Sequence, residues 1–198
     1  MTKVNDKPNF ILDLDQTLIS AEASEDFDLK KYEKKMKLFN YKDMDGYYLV
    51  FERPHLQKFL DKLFKKFNVS IWTAASKDYA LFIINKIILS KPERKLDWIF
   101  FSYHCKLSKK LTDNTKSLKI IWEEYGFKNY NNNNTVILDD YDEVYNTQKY
   151  NCIVATPFEF KKNGSEHDNF LKKLTNKLDL LKHRMTNGEG KPSSIINV

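Results

Sequence analysis

Asp13 and Asp15, spaced i, i+2 in Ile11-Leu12-Asp13-Leu14-Asp15-Gln16-Thr17-Leu18, are the residues of this chain best placed to do chemistry. They follow an apolar run, Asn9 to Leu12, that reads as a buried strand. Side chains two apart on a strand point to one face, so both acids can converge at the strand's carboxyl end. Two carboxylates that close repel each other unless a cation sits between them or one keeps its proton. The pair therefore points to a hard divalent metal or to a carboxyl group that acts as an acid. Asp-x-Asp is also common in turns and helix caps. A second acidic pair strengthens the chemical reading: Asp139-Asp140 closes Val136-Ile137-Leu138. Thr73 closes Ile71-Trp72, and Lys116 lies in Thr115-Lys116-Ser117-Leu118. Singly, these are a strand-end hydroxyl, a surface lysine and a turn cap. In a parallel sheet the strands' carboxyl ends share one edge. The set then supplies a nucleophile, an acid, a hydroxyl donor, a cation and metal ligands.

The elements that must position these residues alternate. Strands are predicted at Asn9–Asp13, Tyr47–Phe51, Val69–Thr73, Trp98–Tyr103, Thr135–Leu138 and Cys152–Ala155. A helix is predicted over His55–Lys66 after Pro54, with Leu56, Phe59, Leu60, Leu63 and Phe64 at helical spacing. Ser76 is placed to cap a helix reaching about Leu89, Leu118–Tyr125 is stopped by Gly126, and Asp168 to Met185 is amphipathic. Such alternation implies an α/β fold with a mainly parallel sheet and helices on both faces. The charged stretch Ala21–Asp45 interrupts it and is expected to be a helical or irregular insertion, a small cap or lid. One domain is expected over residues 1–186, followed by a frayed tail at 187–198 rich in Gly, Ser, Pro and Asn.

Composition excludes several functions. No stretch approaches membrane-spanning length, since Ala80–Leu89 is broken by Asn85 and Lys86. Met1 to Phe10 has no apolar core that would serve as a secretory signal. Cys105 and Cys152 form no metal-spaced pair, and neither has an arginine six positions on, so a cysteine-phosphatase loop is absent. An intracellular chain, in nucleus or cytoplasm, is the simplest reading. The net charge of +6 comes almost wholly from lysine, with arginine only at Arg53, Arg94 and Arg184. Nucleic-acid readers lean on arginine, so no direct nucleic-acid contact and no membrane partner is expected. No phosphate-cradling Gly-x-x-x-x-Gly-Lys loop and no His-Glu-x-x-His zinc motif occurs. A metal-bridged carboxylate site is the leading chemical option.

Taken together, Asp-x-Asp-x-Thr, a strand-end Thr, a Lys and Asp-Asp resemble the haloacid dehalogenase-like (HAD-like) phosphotransferases, with their Rossmannoid three-layer sandwich. The finer resemblance is to the RNA polymerase II C-terminal-domain phosphatases, also called NLI-interacting-factor-like. Asp13-Leu14-Asp15-Gln16-Thr17-Leu18, Arg53-Pro54-His55-Leu56 with Phe59-Leu60, and Trp72-Thr73-Ala74 with Tyr79-Ala80 carry it. Lys116-Ser117-Leu118 with Ile121-Trp122 and Asn134-Thr135-Val136-Ile137-Leu138-Asp139-Asp140 are similar to the ubiquitin-like-domain-containing members, whose extra domain has no counterpart here. Gln16 stands where the family has Glu, and Asp140-Tyr141 where its small members have Asn-Ser.

The resemblance implies a Mg²⁺-dependent phosphatase of phosphoserine or phosphothreonine, with a polymerase tail as a plausible substrate. It implies Asp13 as nucleophile and metal ligand, and Asp15 as acid/base that also offers its backbone carbonyl to the metal. It further implies Asp139 or Asp140 as a direct ligand and Thr73 and Lys116 as holders of phosphoryl oxygens. Thr17 is expected to support the turn, and Arg53 to be structural. Alternatives are a phosphatase of small molecules or nucleic-acid ends, and an inactive phosphopeptide-binding module.

Overall fold

A computed structural model describes residues 7–188. Residues 1–6 and 189–198, with most of the expected tail and part of the N-terminal segment scanned for a signal, lie outside the described residues.

Five short strands pair in parallel in the order β6-β5-β1-β7-β8: β1 (Asn9–Leu12), β5 (Asn68–Trp72), β6 (Leu96–Phe100), β7 (Thr135–Asp139) and β8 (Cys152–Val154). The central strand β1 is buried along its length, which is why it reads as a continuous apolar run. Its side chains nevertheless alternate between layers. Phe10 and Leu12 pack with helices α2 (Leu56–Lys66), α3 (Lys77–Ile83) and α6 (Phe170–Asn187). Ile11 turns the other way, toward Trp72, Ile137, Cys105 of α4 (Ser102–Thr112) and Val144 of α5 (Asp142–Thr147). Helices therefore cover both faces in a three-layer α/β sandwich. After β1 the chain builds β5 and β6 on one side, then crosses to β7 and β8 on the other. The β1/β7 boundary is thus the point where strand order reverses, the usual ligand crevice of such sheets.

The stretch after β1 departs from expectation. The expected helical or irregular insertion does contain a helix, α1 (Leu29–Met36), but β2 (Ile19–Ala23), β3 (Tyr41–Met44) and β4 (Tyr48–Glu52) also form a separate antiparallel sheet, order β2-β4-β3, with α1 between β2 and β3. The run expected at Tyr47–Phe51 is β4 and belongs to this sheet, not to the parallel one. The hairpin between β3 and β4 turns on Asp45 and Gly46, at φ +49° and +79°, and Tyr47 N–H donates to Met44 O at 2.9 Å. An aromatic cluster holds the sheet: Phe51 stacks on Phe160 at 3.7 Å, with Phe27 and Phe39 around them.

Other boundaries shift. β6 ends at Phe100, and Tyr103 lies in α4, because the apolar run continues into the helix's first turn, where the His104 ring accepts Phe101 N–H. The helix after Ser76 reaches Leu89 but changes to a π-turn at Ile84–Ile88, and the Ser76 side chain does not cap it. Asn187, expected in the frayed tail, closes α6. No helix among the described residues is long and apolar enough to cross a membrane.

Candidate active site

Ladder geometry brings the two acidic segments together. β1 runs in register with β7, Leu12 opposite Leu138, and Asp13 N–H continues the ladder to Leu138 O at 3.0 Å. Asp13 and Asp139 therefore leave adjacent strand ends side by side, both buried. One carboxylate oxygen each from Asp13, Asp139 and Asp140 lies within 4.8 Å of the others. That hard-oxygen donor set is of the kind that holds a hard divalent cation. Asp15 is not one of the three carboxylates. Past the strand end the chain turns at Gln16 (φ +56°), and Asp15 Oδ1 accepts from the Tyr79 hydroxyl at 2.5 Å.

Lys116 comes from the loop between α4 and the π-turn at Ile120–Glu124. Its Nζ donates to Asp13 Oδ1 at 2.6 Å and to Asp139 Oδ2 at 2.7 Å, and the side chain is buried. Side chains from α5 and its end hold this loop. Glu143 Oε1 accepts from Thr115 N–H and Oγ1, both at 2.8 Å, and Gln148 spans Lys116 O and Leu118 N–H at 2.9 Å each. The lysine is thus fastened to the helix that follows its acidic partners.

Thr73 lies buried just past the end of β5, and its Oγ1 accepts Ala75 N–H at 3.1 Å, which leaves its own O–H free to donate. Thr17 Oγ1 donates to Asp140 Oδ1 at 3.0 Å, so the turn after β1 positions one of the acids beyond β7. Arg53 stays out of the acidic group. It donates to Thr17 O and, with two nitrogens, to Asp168.

Electrostatics follow from gathering three acids, two of them buried, around one cation. Burial disfavours the Lys116 charge, but Asp13 and Asp139 outweigh it and hold the ammonium well above the usual lysine range. One ammonium cannot neutralise three carboxylates. Burial, then the Asp13 charge, push Asp139 and Asp140 upward. Asp15 is pushed up to about 6, chiefly by burial, with the Tyr79 hydrogen bond pulling against it. Burial and the Asp15 charge hold the Tyr79 phenol well above its usual range, so it is the donor in that pair.

The structure thus gathers Asp13, Asp139, Asp140 and Lys116 directly, with Asp15 and Thr73 at the same sheet edge. Sequence reasoning missed the Tyr79–Asp15 and Thr17–Asp140 bonds and the Glu143 and Gln148 clamps. Two signals pointed to Tyr79: its place in the first turn of the helix that follows a site strand, and the Tyr79-Ala80 pair within the family-like motif.

The profile of the NLI interacting factor-like phosphatases matches residues 8–187. The CTD phosphatase-like protein 355R of Invertebrate iridescent virus 6 is 45% identical over 176 residues, spanning 86% of this chain and 97% of that protein. The protein of the same description from Invertebrate iridescent virus 3 is 39% identical over 185 residues, 90% and 98% of the two chains. Among solved structures, Fcp1, an essential RNA polymerase II CTD phosphatase, superposes with a TM-score of 0.65 at 18% identity, over 96% of this chain and 70% of that one. This likeness shows a shared fold, the three-layer α/β sandwich with a mainly parallel sheet. The chain belongs to the NLI interacting factor-like phosphatase family.

Proposed function

We propose that this chain is a Mg²⁺-dependent phosphoserine/phosphothreonine protein phosphatase that works through an aspartyl-phosphate on Asp13. The observation that supports it most is the convergence of Asp13, Asp139 and Asp140 on one point, with Lys116 between two of them. Asp13 is the nucleophile: its carboxylate oxygen bonds to phosphorus as the bond from phosphorus to the serine or threonine oxygen breaks. Asp15 gives its proton to the departing oxygen, then takes one from the water that cleaves the aspartyl-phosphate and releases phosphate. Thr73 and Lys116 hold the phosphoryl oxygens, donors aimed where charge develops. Asp13 and the Asp139/Asp140 pair would hold the metal, with the Asp15 backbone carbonyl as a further ligand. A bound Mg²⁺ would withdraw charge from the phosphoryl group.

A protein substrate is supported by kinship with CTD phosphatase-like proteins, and a polymerase tail is the corresponding candidate. The test is a panel of tail-repeat phosphopeptides, nucleotides, sugar phosphates and 3′-phosphorylated DNA, with and without Mg²⁺, and Asp13→Asn as control. Phosphopeptides should be turned over best, only with the metal, and Asp13→Asn should be inert. A preference for nucleotides or DNA ends would replace the substrate class. Phosphopeptide binding without turnover at any Mg²⁺ concentration would make the chain a binding module.

A further inference from the structure

We infer that Tyr79 is a positioning residue for Asp15, holding its carboxyl group in the orientation from which a proton reaches the leaving oxygen. The inference rests on the acid/base role proposed for Asp15. The two residues come from different elements. Asp15 lies in the turn after β1, and Tyr79 in the first turn of α3, joined to β5 by the loop that begins at Thr73. They meet through one short bond, 2.5 Å from Oη to Oδ1. The torsion that orients an aspartate's carboxyl plane is intrinsically broad. An O–H···O bond this short narrows it, whether or not the other oxygen carries a proton. Oδ1 is committed to Tyr79, so the proton in transit is carried on Oδ2.

Tyr79 is itself held. Its ring meets Tyr48, the first residue of β4, edge to face at 5.4 Å and 80°. The antiparallel sheet thereby bears on the acid through two rings and one hydrogen bond. An exposed Asp15 would need no such support. A half-buried one aimed by a single hydroxyl loses its aim when that hydroxyl is removed.

A leaving-group comparison tests this. Serine leaves as an alkoxide and needs a proton, whereas p-nitrophenolate departs without one. Tyr79→Phe keeps the ring and removes only the hydroxyl. Its kcat/KM reports the steps up to the aspartyl-phosphate. That value should fall about tenfold or more for a phosphoserine peptide, part of the 10²–10⁴ that a positioned acid contributes, and far less for p-nitrophenyl phosphate. In an Asp15→Asn background the same substitution should change kcat/KM by less than about twofold, because the group it positions is gone.

Equal losses on both substrates would mean that Tyr79 contacts substrate, and would overturn the inference. So would a full additive loss in the Asp15→Asn background, or an unaffected Tyr79→Phe beside a severely impaired Asp15→Asn. An Asp15→Asn protein that retains full activity on the phosphoserine peptide would instead refute the acid role of Asp15, and this inference with it.

Discussion

Lys116 Nζ stands 2.6 Å from Asp13 Oδ1, so the expected nucleophile is paired with a buried ammonium. The same nitrogen reaches Asp139 at 2.7 Å, which makes Lys116 the counter-charge that lets two acids share an enclosed space. It is therefore a structural group of the fold, whatever it does for a substrate.

Lys116→Met should accordingly do two things. It should destabilise the metal-free protein by about 3–5 kcal/mol, the cost of leaving buried charges without their partner. It should also lower kcat roughly 10²-fold or more, as loss of a donor aimed at developing charge does. Mg²⁺ should raise the Tm of the variant by more than it raises that of the wild type, because the ion replaces the missing positive charge. Equal metal-induced shifts, read by calorimetry, would contradict this counter-charge role.

Protonation and metal binding should compete. The fold raises Asp15 to about 6, chiefly by burial, and pushes Asp139 and Asp140 up through burial and the charge of Asp13. A carboxyl group raised by folding stabilises the fold when protonated. Its contribution is complete below the unfolded value near 3.8 and is lost as pH rises through the folded one. For Asp15 that amounts to roughly 3 kcal/mol lost between about pH 4 and 6. Metal-free Tm should therefore decline across this window, and Mg²⁺ should offset more of the decline at higher pH. Titration calorimetry should show Mg²⁺ affinity rising with pH and protons released on binding. A pH-independent affinity would place the ion elsewhere. Chelator should abolish activity, and millimolar Mg²⁺ should restore it.

What could be read from the sequence, and what could not, has a physical pattern. Asp13, Thr73 and the Asp139-Asp140 pair were legible because each stands where a buried strand's apolar run stops, and a parallel sheet puts those stops on one edge. Lys116 was legible only as part of the set. β2 and β3 were not legible: Ile-Ser-Ala-Glu-Ala and Tyr-Lys-Asp-Met are short and mixed, and their stability comes from pairing with β4 and from aromatics as distant in sequence as Phe160. The Asp45-Gly46 hairpin signal was present but lay at the edge of a charged stretch read as irregular. The Tyr79–Asp15 contact joins residues 64 apart, and no local spacing encodes it.

Thr17 links the first loop to the last acid through its hydroxyl on Asp140. Thr17→Val keeps the shape and removes that bond. Mg²⁺ affinity should fall about tenfold, the loss typical of an outer partner of a metal ligand, while kcat at saturating metal stays within a few-fold. A fall in kcat that extra Mg²⁺ does not relieve would mean that Thr17 acts on the substrate instead.

Arg53 tests the scaffold rather than the chemistry. It is wholly buried, donates from Nε and Nη2 to Asp168 at 3.0 and 2.8 Å, and from Nη1 to Thr17 O at 2.9 Å. Its guanidinium also lies over the Phe170 ring at 4.6 Å. One side chain thus fastens the start of α6 to the turn that follows β1. Arg53→Met should cost about 3–5 kcal/mol, because Asp168 keeps a partly buried charge with no cationic partner. Arg53→Lys should recover only part of this, since an ammonium cannot reproduce the two-pronged geometry or the planar stacking. The double variant Arg53→Met, Asp168→Asn should be more stable than Arg53→Met alone, because the unpaired charge is removed. Denaturant unfolding of the three variants decides it. If Arg53→Lys matched the wild type, or the double variant were the least stable, the paired fork would not be what anchors α6 beside the site.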